Sequence, residues 1–576
     1  MIVIATFTLI FLSISYIVPD TVASNPSPTA QTQQGVYVGF QTTENGTDIN
    51  YWYGIPYAQQ PIGNLRWKPP QPLEMSNGTK YAYSPNVCPQ TNTYIFPMTE
   101  SCLTLNVYTP ANASNLPVYV WIHGGSFTTG AGILYGARQF VSTSVINAVP
   151  VVVVTINYRL GLLGFLADEG LYDERSGNKN RSTTGNYGIL DQIMALDWIK
   201  ENIAGFNGDP TQITIGGESA GGVSVTILLT SPLVTSGTFQ RAIIESGAIW
   251  PNGVSDMETA INSTGKVLRA NFNCTMVQCL RDLTIQDILK VQATIVSKNI
   301  IGVAANPVID GYILNDIMEN YYARGDFQRV PVLVGSTTNE TSTFTCPYFK
   351  EKASVAQVQT FFATIYNATI VNEIPTIYGP ISAYQNALTY LNIVYSDAWA
   401  HCGSRRLASR FSDYGLSAYL YTYNHLIPVT ATCLGVAHAF ELVMFFPDLL
   451  LFLFPGYRLT DFEKQLSTNM MRYWANFIHT SNPNDGSELT NWNTYSSSSD
   501  VDFVLDITSK MRIDYSHLNQ HGPDFDSDSD DSSGEEDEDT TENDEDNVSD
   551  HLFKVSSATF QGMRVFDSIN PTLANS

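Results

Sequence analysis

Short, nearly continuous apolar runs alternate along this chain with longer segments whose apolar residues recur at helical spacing. The runs predict buried strands at 118–122, 151–156, 213–215, 242–244, 330–334 and 417–423. Helical spacing predicts helices at 189–203 and 462–479. Because strands that alternate with helices form parallel sheets, the pattern predicts an α/β fold, with a large, mostly parallel central sheet flanked by helices on both faces.

The N-terminal end departs from this globular pattern. Residues 1–18 are apolar and almost uncharged, and small residues follow at 21–24, so the sequence predicts a secretory signal peptide at 1–23. The run lacks an early Lys or Arg, and an uncleaved signal anchor is the alternative. No later stretch predicts a transmembrane anchor, and the polar C-terminus predicts no lipid anchor.

The C-terminal end departs from it as well. Fifteen Asp or Glu and no Lys or Arg lie between Asp524 and Asp550, which accounts for more than half of the net charge of −25. Such a tract buries too little apolar surface to fold. We therefore predict one domain at 24–515 and an acidic, disordered, solvated tail at 516–576. A calcium-buffering or phosphorylated segment is the alternative reading of the tail, because serines lie among its carboxylates.

Composition favours a protein that is secreted or resides in the lumen of the secretory pathway. Asn-x-Ser/Thr sequons occur at Asn45, Asn77, Asn112, Asn180, Asn262, Asn273, Asn339, Asn367 and Asn547. Six of the seven cysteines can pair in sequence order, Cys88 with Cys102, Cys274 with Cys279 and Cys402 with Cys433, which leaves Cys346. Spacing alone does not fix this connectivity. An acidic chain without a basic cluster is not expected to bind nucleic acid.

The segment Gly217–Gly221 carries the strongest chemical signal. It reads Gly-x-Ser-x-Gly, follows the β-branched run 213–215 and precedes the apolar run 222–229. A strand, a tight turn and a helix expose a serine hydroxyl above a sheet, and a Cβ on either flanking glycine would clash in that turn. The pattern predicts Ser219 as a catalytic nucleophile, and an ordinary strand-to-helix loop is the alternative.

A serine nucleophile needs a histidine base, which follows it in chain order in α/β-hydrolases. His123 precedes the serine, and three further histidines lie at 517, 521 and 551, in the predicted tail. Four candidates remain, His401, His425, His438 and His479. His438 lies among small residues in a predicted loop, whereas the other three lie in strand or helix patterns. A structural role for His438 is the alternative.

The base needs an orienting carboxylate, and the reaction needs hydrogen-bond donors for the oxyanion. Glu340 lies in the loop after the predicted strand 330–334, and Asp310 is a competing acid that looks more like a turn-forming Asp-Gly. The loop 123–127 directly follows the strand 118–122, so its amides could approach a substrate carbonyl, together with the amide of Ala220.

These motifs together resemble the type-B carboxylesterase/cholinesterase family of α/β-hydrolases over roughly 35–515. The resemblance rests on ordered matches at 53–58 (YGIPYA), 65–70 (LRWKPP), 100–106 (ESCLTLN), 157–161 (NYRLG), 185–192 (GNYGILDQ), 206–210 (FNGDP) and 216–222 (GGESAGG).

The resemblance implies the site residues. It implies Ser219 as nucleophile, Glu340 as acid and His438 as base. It implies an oxyanion hole formed by the amides of Gly125, Ser126 and Ala220. Supporting positions are Gly124, Glu218, Ser246 and Glu441, and the first two family disulfides correspond to Cys88–Cys102 and Cys274–Cys279.

The chain departs from the family pattern at several points. Ser126 replaces the third glycine of the oxyanion loop, and we expect activity to survive at an altered rate. The segment 89–101 holds no Trp of the kind that binds choline, so choline specificity is not expected. The sequon at Asn339 adjoins Glu340, and we predict that it carries no glycan. The apolar segment 442–454 predicts a buried wall of the pocket, with an exposed rim for long-acyl esters as the alternative.

The sequence therefore predicts a secreted serine carboxylic-ester hydrolase that takes small-molecule or lipid esters and needs no metal or organic cofactor. One alternative is a catalytically inactive, cholinesterase-like adhesion or structural protein. Another is a lipase that acts on long-acyl esters. The sequence leaves the oligomeric state open.

Overall fold

A computed structural model of the chain describes residues 27–91, 96–173, 184–248, 253–298, 304–350, 352–428, 433–484, 486, 488–499 and 501–512. The signal peptide at 1–23 and the tail at 516–576 lie outside the described residues and stay predictions. None of the described helices combines the length and the apolar character needed to cross a membrane.

The strands of the described chain are β1 (Thr29–Thr32), β2 (Gly35–Val38), β3 (Phe40–Glu44), β4 (Thr47–Pro56), β5 (Thr79–Tyr81), β6 (Thr104–Pro110), β7 (Leu116–Ile122), β8 (Val152–Ile156), β9 (Gly208–Glu218), β10 (Arg241–Glu245), β11 (Ser255–Asp256), β12 (Val308–Ile309), β13 (Val332–Thr337), β14 (Ala418–Tyr423), β15 (Asp502–Leu505) and β16 (Lys510–Arg512).

A single large sheet dominates the described part of the molecule, in the order β16-β15-β14-β13-β10-β9-β7-β8-β6-β4-β3. The strands from β15 to β8 in this order are all parallel. Antiparallel β16 closes one edge, and antiparallel β6, β4 and β3 close the other. Small sheets of β1-β2-β5 and β11-β12 lie apart from it. The predicted, mostly parallel α/β sheet is confirmed.

The α-helices of the described chain are α1 (Arg138–Ile146), α2 (Gly161–Phe165), α3 (Glu169–Asp173), α4 (Tyr187–Asn202), α5 (Ala220–Thr230), α6 (Met257–Ala260), α7 (Lys266–Phe272), α8 (Val277–Arg281), α9 (Ile285–Val296), α10 (Met318–Arg324), α11 (Ser342–Phe349), α12 (Val355–Ile365), α13 (Ala368–Tyr378), α14 (Ala387–Ser396), α15 (Cys402–Asp413), α16 (Leu442–Phe445), α17 (Pro447–Leu453) and α18 (Asp461–Thr480). Two π-helical turns, Ile261–Gly265 and Asp397–His401, also occur there.

Alternate side chains of the central strands enter two hydrophobic cores, one on each face of the sheet. On β7, Val118 and Val120 belong to one core, whereas Tyr119 and Trp121 belong to the other. Helices α4 and α5 contribute to the first core, and α1 and α18 contribute to the second. Because both faces are buried, the central strands carry apolar residues at consecutive positions, which is the nearly continuous pattern that the sequence shows.

Every strand and helix predicted from that pattern is confirmed, with ends that move by a few residues. The predicted strand at 213–215 extends furthest and becomes Gly208–Glu218. The parallel strands β7, β9, β10 and β13 end at the same edge of the sheet, because the carboxyl ends of parallel strands coincide. The segments that follow these four strands, and the segment that follows the neighbouring parallel strand β14, carry the candidate chemistry.

The apolar segment after His438 lies mostly inside the molecule. Residues 442–446 are at most 2% exposed, and Phe446 packs against Trp121 and Tyr135 in the second core. Leu453 on α17 is 40% exposed. The buried reading therefore holds for 442–446, and the alternative of an exposed apolar rim does not.

One predicted disulfide is wrong. Cys88–Cys102 and Cys274–Cys279 are present, but Cys433 is bonded to Cys346 and not to Cys402, with 5.8 Å between the Cα atoms of the pair. Cys402 is a buried thiol at the start of α15 that interacts with Tyr366 and Tyr378. Pairing in sequence order failed because the tertiary fold brings the segment after Glu340 against the segment before His438.

Candidate active site

Ser219 occupies a turn with unusual backbone geometry between a strand and a helix. Strand β9 ends at Glu218, helix α5 begins at Ala220, and Ser219 between them has φ 56° and ψ −122°. Its amide donates to the Glu245 carbonyl on β10 (2.9 Å), which ties the turn to the sheet. A non-glycine residue at positive φ persists only where the surroundings enforce it, as they do at a nucleophile turn.

The glycines near this turn are required by close packing. A Cβ on Gly217 would lie 2.6 Å from the Ile122 carbonyl oxygen, and a Cβ on Gly221 would lie 1.9 Å from the same atom. A Cβ on Gly124 would lie 2.7 Å from both the carbonyl oxygen and Oε2 of Glu218. The steric reason predicted for the motif is therefore confirmed. The end of β7 and the loop after it press directly against the nucleophile turn.

Glu340 is fully buried in the loop after β13, and both of its carboxylate oxygens accept short hydrogen bonds. Oε1 accepts from Ser246 Oγ (2.6 Å) and from the Thr337 amide (2.7 Å), and Oε2 lies 2.6 Å from His438 Nδ1. Burial by itself raises the pKa of this carboxyl, but the charge of His438 and the hydrogen bonds outweigh it and lower the pKa. Glu340 is therefore ionised at neutral pH and hydrogen-bonded by Ser246, whose supporting role in the reaction stays a prediction.

His438 lies between two carboxylates. Its Nδ1 faces Glu340, and its Nε2 lies 3.0 Å from Glu218 Oε1. Burial by itself lowers the pKa of His438, but Glu218 and Glu340 outweigh it and raise the pKa well above its usual value. The raised pKa favours the protonated imidazole. The Nε2–Glu218 contact is an ion-pair distance and not a hydrogen bond, because Glu218 Oε1 has no hydrogen-bond partner within the described residues.

The hydroxyl of Ser219 is the third group of the predicted catalytic triad. Among the described residues it makes no hydrogen bond to His438, because Nε2 of the imidazole points to Glu218, the residue directly before the serine. Hydrogen bonds between catalytic groups are often long or misaligned until substrate binds. The fold thus brings Glu340, the predicted acid, into contact with His438, the predicted base. Ser219, the predicted nucleophile, directly follows Glu218, which His438 also contacts.

Two further carboxyls lie buried near Glu218. Glu245 Oε1 accepts from Trp474 Nε1 (3.0 Å), and burial, followed by the charge of Glu218, raises the pKa of Glu245 to about 8. Neither oxygen of Glu441 has a hydrogen-bond partner within the described residues. Burial, followed by the charges of Glu218 and Glu245, raises the pKa of Glu441 well above its usual value. Both carboxyls therefore favour the neutral form more than a solvated glutamic acid does.

Glu441 was predicted at this position, but Glu245 was not. The available signal was its place at the end of the predicted strand 242–244, directly before Ser246. Two aromatic rings that touch the imidazole were also missed. The ring centroid of Trp399 lies 4.8 Å from that of His438 in an edge-on arrangement. The ring centroid of Phe344 lies 5.9 Å from that of His438.

The loop after β7 carries the predicted oxyanion donors. Gly125 has φ 110° and Ser126 has φ 54°, so the serine adopts a left-handed conformation that glycine takes without penalty. The amides of Thr128 and Thr129 both donate to the Gly125 carbonyl (2.9 Å each), which fixes the loop. The amide of Ala220 begins α5 and has no acceptor in its own helix. The assignment of these amides to the oxyanion stays a prediction.

His123 at the start of this loop is a structural residue. Its Nδ1 lies 2.8 Å from the Gly124 carbonyl, its ring stacks on Tyr158 at 4.5 Å, and the Tyr158 hydroxyl donates to the His123 carbonyl. Burial lowers the pKa of His123 to about 4. The ring is therefore neutral, with its proton on Nδ1, and it stiffens the loop.

The segment 339–346, which carries Glu340, and the segment 433–438, which carries His438, are joined at three points, which we name the loop junction. Asn339 and Val436 exchange two hydrogen bonds of 2.9 Å, from the Asn339 amide to the Val436 carbonyl and from the Val436 amide to Asn339 Oδ1. Ser342 Oγ donates to the Asn339 carbonyl (2.6 Å) and to the Leu434 carbonyl. The Cys346–Cys433 disulfide is the third link. That the Asn339 sequon carries no glycan stays a prediction, which mass spectrometry of its peptide tests.

The competing candidates have structural roles. His425 lies between Glu463 (3.1 Å) and Asp506 (3.4 Å), and His479 donates to the Pro150 carbonyl (2.7 Å). Asp310 Oδ1 accepts from the amides of the three residues 312–314, as expected of a turn-forming aspartate. Buried His401 lies 2.8 Å from Asp397 Oδ1 and 2.7 Å from the Thr337 carbonyl oxygen.

Comparisons with known proteins find relatives over most of the chain. The model of the carboxylesterase family matches residues 26–525. The chain is 33% identical over 497 residues to para-nitrobenzyl esterase of Bacillus subtilis (strain 168), covering 82% of this chain and 94% of that protein. It is 32% identical to human cocaine esterase over 506 residues (81% and 86%). It is 30% identical to mouse carboxylesterase 1C over 524 residues (81% and 87%).

Proposed function

The chain belongs to the carboxylesterase family and is a carboxylic ester hydrolase, and on that premise we propose that it is a secreted serine esterase that works through an acyl-Ser219 intermediate. The observation that carries the mechanism is the Glu340–His438 contact of 2.6 Å beside the turn that bears Ser219. A nucleophile turn, an ionised acid and an oriented imidazole are the parts that acyl transfer requires.

In the first half-reaction, Nε2 of neutral His438 accepts the Ser219 proton as Oγ attacks the ester carbonyl carbon. The carbonyl electron pair moves onto oxygen, where the amides of Gly125, Ser126 and Ala220 stabilise the negative charge. When the intermediate collapses, the bond to the alcohol oxygen breaks, and the proton on Nε2 passes to that oxygen. Glu340 holds Nδ1–H throughout and stabilises the imidazolium.

In the second half-reaction, water attacks the acyl-serine carbonyl carbon while Nε2 of His438 accepts its proton. Collapse of this second intermediate breaks the bond to Ser219 Oγ, which regains its proton from Nε2, and the carboxylic acid leaves. In both halves Nε2 must leave Glu218 and turn to the reacting oxygen. Burial raises the pKa values of Glu245 and Glu441, so both favour the neutral form beside the imidazole.

We extend the proposal to substrate and location. The substrates are small-molecule or lipid esters without a requirement for choline, because the segment 89–101 has no Trp. A signal peptide at 1–23, a catalytic domain at 24–515 and an acidic tail at 516–576 complete the chain. The three disulfides of the described residues support an oxidising compartment.

The two competing functions have less support. An inactive adhesion protein does not need a nucleophile turn beside a buried acid–imidazole pair. A lipase that acts at interfaces needs an exposed apolar rim, and residues 442–446 are buried. The acyl-chain preference measured below decides between a carboxylesterase and a lipase.

The test uses the full chain purified from the secretory pathway of a eukaryotic host. A fluorophosphonate probe and nitrophenyl esters of short and long acyl chains are applied to the wild type, to Ser219→Ala and to Ser498→Ala, an exposed serine that serves as the matched control. We expect turnover and labelling of the wild type and of Ser498→Ala, with neither in Ser219→Ala. An unlabelled, inactive wild type that is folded would refute the proposal.

A further inference from the structure

The buried π-helical turn Asp397–His401 lies between α14 and α15, next to the candidate triad. Such a turn departs from regular α-helix and is frequent at functional sites. We name residues 396–401 the platform, and residues 337–341, which carry Glu340, the acid loop. Of the platform residues, the sequence marked only His401, as one of four candidates for the base.

His401 links the platform to the first residue of the acid loop. Its Nε2 lies 2.7 Å from the Thr337 carbonyl oxygen, and its Nδ1 lies 2.8 Å from Asp397 Oδ1. The second oxygen of Asp397 accepts from the Tyr378 hydroxyl (2.9 Å) on α13. Because a carbonyl and a carboxylate only accept, both ring nitrogens of His401 donate, which makes it a buried imidazolium.

The platform contacts the triad at two further places. The Thr341 amide, at the other end of the acid loop, donates to Ser396 Oγ (3.0 Å), and the hydroxyls of these two residues are also 3.0 Å apart. Trp399 packs edge-on against the His438 ring at 4.8 Å. The acid loop is therefore held at both ends by one buried segment, which also touches the base.

We propose that His401 is a positioning residue for the catalytic acid, acting through Thr337. It holds the Thr337 carbonyl, and the amide of the same residue donates to Glu340 Oε1 (2.7 Å). The backbone of one residue thus joins the two side chains. The inference rests on the proposed function, because Glu340 orients His438 only in a serine esterase.

The charge of His401 gives the proposal a measurable signature. The charged groups that face it are Asp397 on its own turn and Glu340 across the acid loop, and Tyr378 reaches it through Asp397. Burial by itself lowers the pKa of His401, but Asp397, the Thr337 carbonyl and Glu340 outweigh it and raise the pKa. Removing this positive charge makes the surroundings of Glu340 and His438 more negative, which raises the pKa of His438.

The test compares His401→Gln with His425→Gln. Gln keeps a neutral hydrogen-bond donor at position 401 and removes the positive charge. His425 is a matched control, because it is also a buried histidine between carboxylates. Within the described residues it contacts neither Ser219, Glu340 nor His438. Active sites are counted by fluorophosphonate titration, and kcat and the pH profile of kcat/KM are measured per active site with a short-chain nitrophenyl ester.

We expect His401→Gln to lose roughly tenfold in kcat, with little change in KM, because a misplaced catalytic group slows the chemical step. We also expect the acidic limb of its kcat/KM pH profile to move to higher pH, whereas the acidic limb of the His425→Gln profile stays in place. A kcat and an acidic limb equal to those of the wild type would overturn the proposal. A loss of titratable sites with an unmoved limb would overturn it too, since that is the result of a purely structural role.

Ser396→Ala keeps the proposal testable if His401→Gln does not fold. It retains the imidazolium and removes the hydrogen bond at the Thr341 end, so we expect a several-fold lower kcat and an unmoved acidic limb. Wild-type kcat in a folded Ser396→Ala would overturn the inference that the platform positions the acid loop. A wild type that is neither labelled nor active would instead refute the proposed function, so the two failures are distinguishable.

Discussion

Nε2 of His438 lies 3.0 Å from Oε1 of Glu218, so the carboxylate beside the nucleophile faces the nitrogen that must accept the nucleophile's proton. This contact stabilises the protonated imidazole, which is the inactive form of a general base. Substrate must therefore meet an enzyme in which the proton has left His438 and Nε2 has turned from Glu218 to Ser219.

Glu218→Gln tests this relationship. Removing the negative charge lowers the pKa of His438, because Glu218 is the largest contributor that raises it. The acidic limb of the kcat/KM profile should move to lower pH, which increases activity at mildly acidic pH relative to alkaline pH. Glu201→Gln, an exposed carboxylate on α4, is the control, and its limb should stay in place. A limb that does not move in Glu218→Gln would show that this carboxylate does not govern the base.

Glu340→Gln tests the acid by activity and by stability. We expect kcat to fall by roughly 10³–10⁴, because a neutral amide cannot stabilise the imidazolium. The pKa of Glu340 is lowered from 4.5 in the folded chain, so its charge contributes stability that is present above 4.5 and is lost as the pH falls through the lowered value.

Thermal unfolding measured across this acidic range checks the second expectation. The Tm of the wild type should fall more steeply with decreasing pH than the Tm of Glu340→Gln. Parallel curves for the two proteins would contradict the assignment of an ionised, hydrogen-bonded Glu340 in the folded state.

Two substitutions of Ser126 test whether the oxyanion hole needs a backbone amide at this position or a glycine. Ser126→Gly should keep kcat within about threefold, since φ 54° suits glycine and the amide remains. Ser126→Pro should lose roughly 10²–10³ in kcat, because proline lacks the amide and cannot adopt a positive φ. Active-site titration corrects both values for unfolded protein. Equal activity of the two variants would remove the Ser126 amide from the oxyanion hole.

The cysteines distinguish the disulfide of the structure from the one that sequence order suggests. Cys402→Ser should keep the Cys346–Cys433 bond, which peptide mapping without reduction detects. Cys346→Ser should lower the free energy of unfolding by about 2–4 kcal/mol, because it opens a long covalent loop. It should also lower kcat, because the bond joins α11, which directly follows the acid loop, to the segment before His438. A disulfide-linked Cys402–Cys433 peptide from the wild type would contradict the Cys346–Cys433 link of the loop junction.

Local sequence was sufficient for the elements and for the turn that bears the proposed nucleophile. Ser219 could be assigned because its chemistry needs a strand, a tight turn and a helix in immediate succession, and each leaves a pattern within a few residues. Glu340 and His438 needed more than local pattern, because 98 residues separate them and loop positions carry no periodicity. For these two the family resemblance supplied the assignment, and the fold then brought them to 2.6 Å.

What the sequence by itself determined was the α/β sheet, the helices on both faces and the turn of the nucleophile, since burial of strands and helices is written in local hydrophobic spacing. Only the tertiary structure decided that Cys346 bonds Cys433, that Glu218 contacts the base and that His401 lies against Thr337. Such contacts join residues far apart in the chain, and their distances depend on how whole elements pack. No local pattern of residues encodes that packing.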